Sequence, residues 1–158
     1  MIQRIQSVFL LLLALAMLAM LALPLWSKTD PISHASLTLT AFQLYRGATP
    51  EAGAVVASAW PIGALALTAA ATAIYAVFQF RRRSVQLLLC SLNLLLVVAT
   101  LGAAFLYSSR ADAMLNVKME GRYLAGFYLP TLALVLNLLA SRYIRRDERL
   151  VRSMDRLR

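Results

Sequence analysis

Two carboxamides, Asn93 and Asn137, stand inside otherwise apolar stretches of the chain, and a lone thiol, Cys90, lies in the same kind of surroundings. A carboxamide placed in hydrocarbon needs a hydrogen-bond partner. The two asparagines are therefore read as an interhelical polar contact, worth roughly 0.6–2 kcal/mol; the sharper alternative is contact with a ligand or ion. Cys90 reads as a small buried hydrophobe. The one histidine, His34, falls in a polar connection and reads as a surface residue. One cysteine and one histidine cannot fill a zinc or iron–sulfur site, and the same count rules out a two-histidine haem and a covalent Cys-x-x-Cys-His haem. No Gly-rich phosphate loop, Gly-x-Ser-x-Gly elbow or His-Glu-x-x-His is present. The expectation is a protein with no catalytic residues, no metal and no cofactor.

The elements that position these groups follow from hydropathy. The 158 residues are 61% hydrophobic, with a mean hydropathy of +0.70. A soluble domain is nearer half apolar. The apolar residues fall in four long blocks, about 5–26, 60–80, 84–107 and 123–141. Each is close to the ~20 residues a helix needs to cross a bilayer core. The predicted fold is an all-α, antiparallel four-helix transmembrane bundle forming one domain. The first block is expected to be a retained anchor, being longer than a signal core and lacking a small-x-small cleavage site. Pro61 suits the first turn of span two, and Pro130 is expected to kink span four by freeing the carbonyl of Gly126. On span two, Gly63, Ala66, Ala70 and Ala73 share one face, which favours close helix packing. Counted from the arginines at their ends, Asn93 and Asn137 lie at similar depth. Gln79 and Gln86 lie near the ends of their spans and call for no special partner. Between spans one and two, Ser36 to Tyr45 reads as a strand, with Leu37 and Leu39 alternating with Thr38 and Thr40, and Arg46-Gly47-Ala48-Thr49-Pro50 reads as a turn, so the outer cap is expected to carry a strand or short β-hairpin.

Charge orients the bundle. Arg4, Arg81, Arg82, Arg83 and seven arginines beyond position 141 fall on one side. With three acidic residues against these eleven, that side carries +8; five basic and four acidic residues leave the other at +1. The basic side is expected to face the cytoplasm, with both termini there and the cap in the periplasm. The +9 total then sits at a membrane surface and needs no nucleic-acid partner. Arg81, Arg82, Arg83, Arg145 and Arg146 are the expected contacts for anionic lipid. No ionisable side chain lies deep within a span, which weighs against proton relays and ion-coupled carriers.

The tail, 142–158, is strongly basic yet spaces Leu150, Val151, Met154 and Leu157 along roughly one helical face. Topology control and lipid contact explain the charge. The apolar face suggests more, a docking helix for another membrane or cytoplasmic subunit.

The opening Met1-Ile2-Gln3-Arg4-Ile5-Gln6-Ser7-Val8 and the ending Asp147-Glu148-Arg149-Leu150-Val151-Arg152-Ser153-Met154-Asp155-Arg156-Leu157-Arg158 resemble those of a family of small four-helix membrane proteins typical of Bacteroidota, catalogued as a domain of unknown function. Tyr123-Leu124-Ala125-Gly126 and Pro130 fit its pattern. The resemblance implies four helices in the inner membrane of a two-membrane bacterium and carries over no activity. The functional expectation is a non-catalytic accessory or structural subunit of an inner-membrane complex. The alternative is a small carrier bundle for a lipid or other apolar ligand, opening at the Pro130 kink.

Overall fold

The computed structural model describes residues 2–31, 35–47, 53–80, 82–114 and 121–155, the side chains of 2–4 and 150–155 excepted. Four helices dominate: α1 (Ile2–Ala22), α2 (Trp60–Phe78), α3 (Arg83–Met114) and α4 (Ala125–Asp155). All four are long and apolar enough to cross a membrane. α1 and α3 each pack between α2 and α4, so the helices form a closed antiparallel ring. α3 has 32 residues. At 1.5 Å per residue it is about 48 Å long, well beyond a ~30 Å hydrocarbon core, and it runs past the expected end of span three.

α2 and α3 turn mostly small and polar residues inward and large apolar ones outward, while α1 fills the interior with Leu10, Leu13, Met17 and Met20. The buried face of α2 is Ile62, Gly63, Ala66, Ala69, Ala70, Ala73 and Ala76. That of α3 reads Gln86, Cys90, Asn93, Val97, Thr100, Ala104, Ser108 and Ala111. Large side chains point outward, with Phe78 and Leu88 71% exposed and Leu95 68%. Such an apolar exterior has no place in water and matches hydrocarbon. Within lipid, small residues let backbones approach, so dispersion replaces the hydrophobic effect as the packing force. Thr100 and Ser108 donate back to the carbonyls of Leu96 and Phe105 and so are satisfied within their own helix.

The cap at one end of the bundle exceeds the expected hairpin. It is a five-stranded antiparallel sheet in the order β4-β3-β2-β1-β5, made of β1 (Trp26–Thr29), β2 (Ser36–Leu39), β3 (Gln43–Arg46), β4 (Ala54–Ser58) and β5 (Arg122–Tyr123). The stretch Ser36–Tyr45, expected to be one strand, instead divides into β2 and β3, which form a hairpin paired Leu37↔Arg46 and Leu39↔Leu44; of the turn expected at 46–50, Arg46 ends β3 and 48–50 lie outside the described residues. The class is therefore a helical bundle capped by a sheet rather than all-α. Leu37, Leu39 and Leu44 are buried in one cluster with Leu25, Ala59 and Ile62, which seats the sheet on the helix ends.

Span one also ends earlier than expected. Its helix stops at Ala22, and Trp26 opens β1 opposite Leu39. Pro24 explains the difference, because the residue before a proline is pushed out of the helical region. α4 continues through Pro130 and through the membrane-length segment to Asp155. Its start is held close to the α1–β1 connection. Gly126 donates to the Pro24 carbonyl at 3.3 Å, and a Cβ on Gly126 would lie 2.8 Å from that same oxygen. Only glycine admits the approach.

Candidate functional site

The buried carboxamides Gln6, Gln86, Asn93 and Asn137 lie toward the end of the bundle opposite the sheet. Asn137 Nδ2 donates to the Cys90 carbonyl at 2.9 Å, tying α4 to α3. Asn93 lies one turn along α3 from Cys90 and is buried, and neither of its side-chain polar atoms has a partner. The two carboxamides are thus not bonded to each other, and Asn137 Oδ1 is unpartnered as well. A buried amide without partners costs its desolvation.

A second polar link was not foreseen from sequence. Gln6 Nε2 donates to Gln86 Oε1 in a long contact of 3.5 Å, and Gln86 Nε2 donates to the Ala76 carbonyl at 3.1 Å. Both glutamines are buried. Together they join α1, α3 and α2. Gln86 is therefore a structural member of the core and not an interfacial residue.

Two ion pairs fasten the ends. At the sheet end, Lys28 Nζ on β1 lies 3.0 Å from Asp112 Oδ1 on α3 and donates to the Asp112 carbonyl at 3.1 Å. The Lys28 side chain is 3% exposed and that of Asp112 43%. At the other end, Arg83 at the start of α3 reaches Asp147 on α4. Nη2 approaches Oδ2 to 2.9 Å, and Nη1 donates to the Asp147 carbonyl at 3.3 Å. The Oδ2 approach is Coulombic and lacks hydrogen-bond alignment; the aligned bond is the one to the carbonyl. The tail is held further by Phe9 and Tyr143, stacked at 5.5 Å, and by the fully buried Ile144.

Between α3 and α4, on the outside of the bundle, runs a groove of about 730 Å³. Cys90, Ser91 and Leu94 line it from α3, and Asn137, Leu138 and Ser141 from α4. Above them stand Arg142, Arg145, Arg146 and Arg149. No carboxylate lines the groove among the described residues; Glu148 lies in a smaller recess alongside, with Leu87, Arg145 and Arg149. The four arginines are spaced i, i+3, i+4 and i+7, which puts them on one helical face. That spacing is legible in the sequence and is the signal that would have located the groove.

The other candidate residues are placed as follows. Gly63, Ala66, Ala70 and Ala73 are buried inside the bundle. Gly63 backs onto the Phe42 ring and donates its N–H to the Ala41 carbonyl at 2.8 Å, so this face serves packing within the chain. Arg82 is exposed, and Arg83 is engaged with Asp147. Arg145 and Arg146 line the groove. Arg81, His34 and Leu157 lie outside the described residues, as do the side chains of Leu150, Val151 and Met154. Among the described residues there is no cluster of three or more histidine, cysteine or carboxylate side chains able to hold a metal.

No individual curated protein matches the chain. A family model does: the one described as a domain of unknown function, DUF4293, matches residues 2–157, and with nearly its whole length covered the chain belongs to that family.

Proposed function

We propose that this chain is a non-catalytic accessory or structural subunit of an inner-membrane assembly, with both termini in the cytoplasm and the tail helix as its docking element. One observation supports the docking role. The helix that leaves the membrane is the same helix that crosses it, running unbroken to Asp155, and the Arg83–Asp147 ion pair clamps its emerging turn to the start of α3. A tail needed only for its charge would work in any direction. A tail that presents Leu150, Val151, Met154 and Leu157 to a partner has to be aimed, because binding energy concentrates in a few buried anchors.

The docking test replaces Val151, Met154 and Leu157 with Ser and leaves every charge in place. Native purification followed by mass spectrometry should show a partner chain with the wild type and its loss with the triple variant. A wild-type protein that purifies alone under gentle conditions, or a triple variant that keeps its partner, refutes the docking role. Orientation rests on the arginine asymmetry. In a Cys90→Ser background, cysteines at positions 33 and 115 should label from outside spheroplasts and those at 82 and 158 should not. The opposite pattern overturns the topology.

A further inference from the structure

We infer that the groove between α3 and α4 is a binding site for an anionic glycerophospholipid of the surrounding leaflet, held by its phosphate. Three features carry this. First, Arg142, Arg145, Arg146 and Arg149 converge on one opening, and no carboxylate shares its lining among the described residues. Guanidinium groups bind phosphate oxygens through paired N–H donors. Second, the wall below the arginines carries polar groups. Ser91, Asn137 and Ser141 line it; Ser91 donates to the Leu87 carbonyl at 3.1 Å and keeps only its acceptor capacity for a ligand, and Asn137 Oδ1 is buried with no partner in the chain. Bulk acyl chains have no use for such a wall, whereas a glycerol backbone and the water that accompanies it do. Third, Leu94 and Leu138 line the same groove and offer an apolar strip for the start of a chain whose remainder lies in the bilayer. A volume of about 730 Å³ falls in the ~300–1,000 Å³ range of small-molecule sites.

A single amphiphile satisfies all three features at once. Its phosphate meets the arginines at the headgroup level, its glycerol lies against the serines and Asn137, and its chains follow the leucines downward. Inorganic phosphate would use the arginines alone and leave the lower wall without a role. The inference is independent of the tail's docking role, since the groove ends at Arg149 and the docking residues lie beyond it.

The test is native mass spectrometry of the purified full chain with an equimolar mixture of phosphatidylglycerol, cardiolipin and phosphatidylcholine. The wild type should retain one anionic lipid per chain in preference to phosphatidylcholine. Arg142→Gln/Arg146→Gln should reduce this retention on the order of tenfold or more, as expected for two basic contacts at an anionic headgroup. Leu94→Trp, which fills the groove and keeps every charge, should reduce it comparably. Arg110→Gln, an exposed arginine at the sheet end and outside the groove, should leave it within about twofold. Retention that falls as far with Arg110→Gln as with the groove arginines, or that survives Leu94→Trp, overturns the site. Displacement of the lipid by millimolar inorganic phosphate overturns the assignment to a lipid. Circular dichroism of each variant separates loss of binding from loss of fold, and Arg142→Lys/Arg146→Lys, which keeps charge but not the guanidinium fork, should bind at an intermediate level. Retention by this lysine pair no better than by the glutamine pair also counts against phosphate recognition.

Discussion

Breaking the Arg83–Asp147 pair should both destabilise the protein and loosen the tail, and the geometry sets the size of the effect. The charges approach to 2.9 Å, with side chains 22% and 13% exposed. At an effective dielectric of about 20 the attraction is roughly 6 kcal/mol, and desolvation of two partly buried ions offsets most of it. What remains is of the order of a charge-assisted hydrogen bond, about 1.5–3 kcal/mol. Arg83→Gln and Asp147→Asn should each cost about 2–3 kcal/mol, because each leaves a partly buried charge uncompensated. The double variant should cost clearly less than the sum. Near 150 residues a kilocalorie shifts the midpoint by roughly 2–4 °C, so each single variant should melt about 4–12 °C lower in detergent. Spin labels at positions 79 and 152 should give a narrow distance distribution in the wild type and a broader one in both single variants. Costs that add to within about 0.5 kcal/mol in the double-mutant cycle, with an unchanged distance distribution, would refute the clamp.

At the sheet end, Asp112→Asn should cost about 1–3 kcal/mol, because it takes the carboxylate from an ammonium whose side chain is 3% exposed. Lys28→Met should cost less, since it removes the buried charge itself; melting temperatures in the reverse order would contradict the pairing. The two asparagines should behave oppositely. Asn137→Leu loses the bond to the Cys90 carbonyl and should cost roughly 0.6–2 kcal/mol, whereas Asn93→Leu removes two unsatisfied atoms and should be neutral or stabilising. A larger loss at Asn93 than at Asn137 in thermal unfolding would show that Asn93 has a partner, such as an internal water.

The helices were legible because hydropathy over some twenty residues is a strong signal. The four apolar blocks appear as α1 to α4 with shifted ends. The alternation of Leu37 and Leu39 with threonines likewise marked β2. The other strands were hidden for particular reasons. Trp26 and Lys28 look like the interfacial anchors of a helix end, which hid β1. β5 has only two residues and exists through its pairing with β1. Long-range polar partners were beyond reach as well. Gln6 meets Gln86 eighty positions away, and Lys28 meets Asp112 eighty-four positions away; nothing local marks either pair. Asn137 announced its need for a partner, but the partner is a backbone carbonyl, which every residue but its neighbours could have supplied.

The strand order has a consequence for how the chain is made. β1 is complete soon after the first helix, yet its outer neighbour is β5, paired Trp26↔Tyr123 and Ser27↔Arg122, and the most extensive helix contact is likewise between the first helix and the last. Synthesis delivers these partners at opposite ends of its course. Until the fourth helix is threaded, β1 keeps one open edge, ready to pair with another chain, and the α1 flank that α4 covers faces lipid. A stalled or shortened copy would show both signs of being unfinished together, and closure of the cap is the event that hides them.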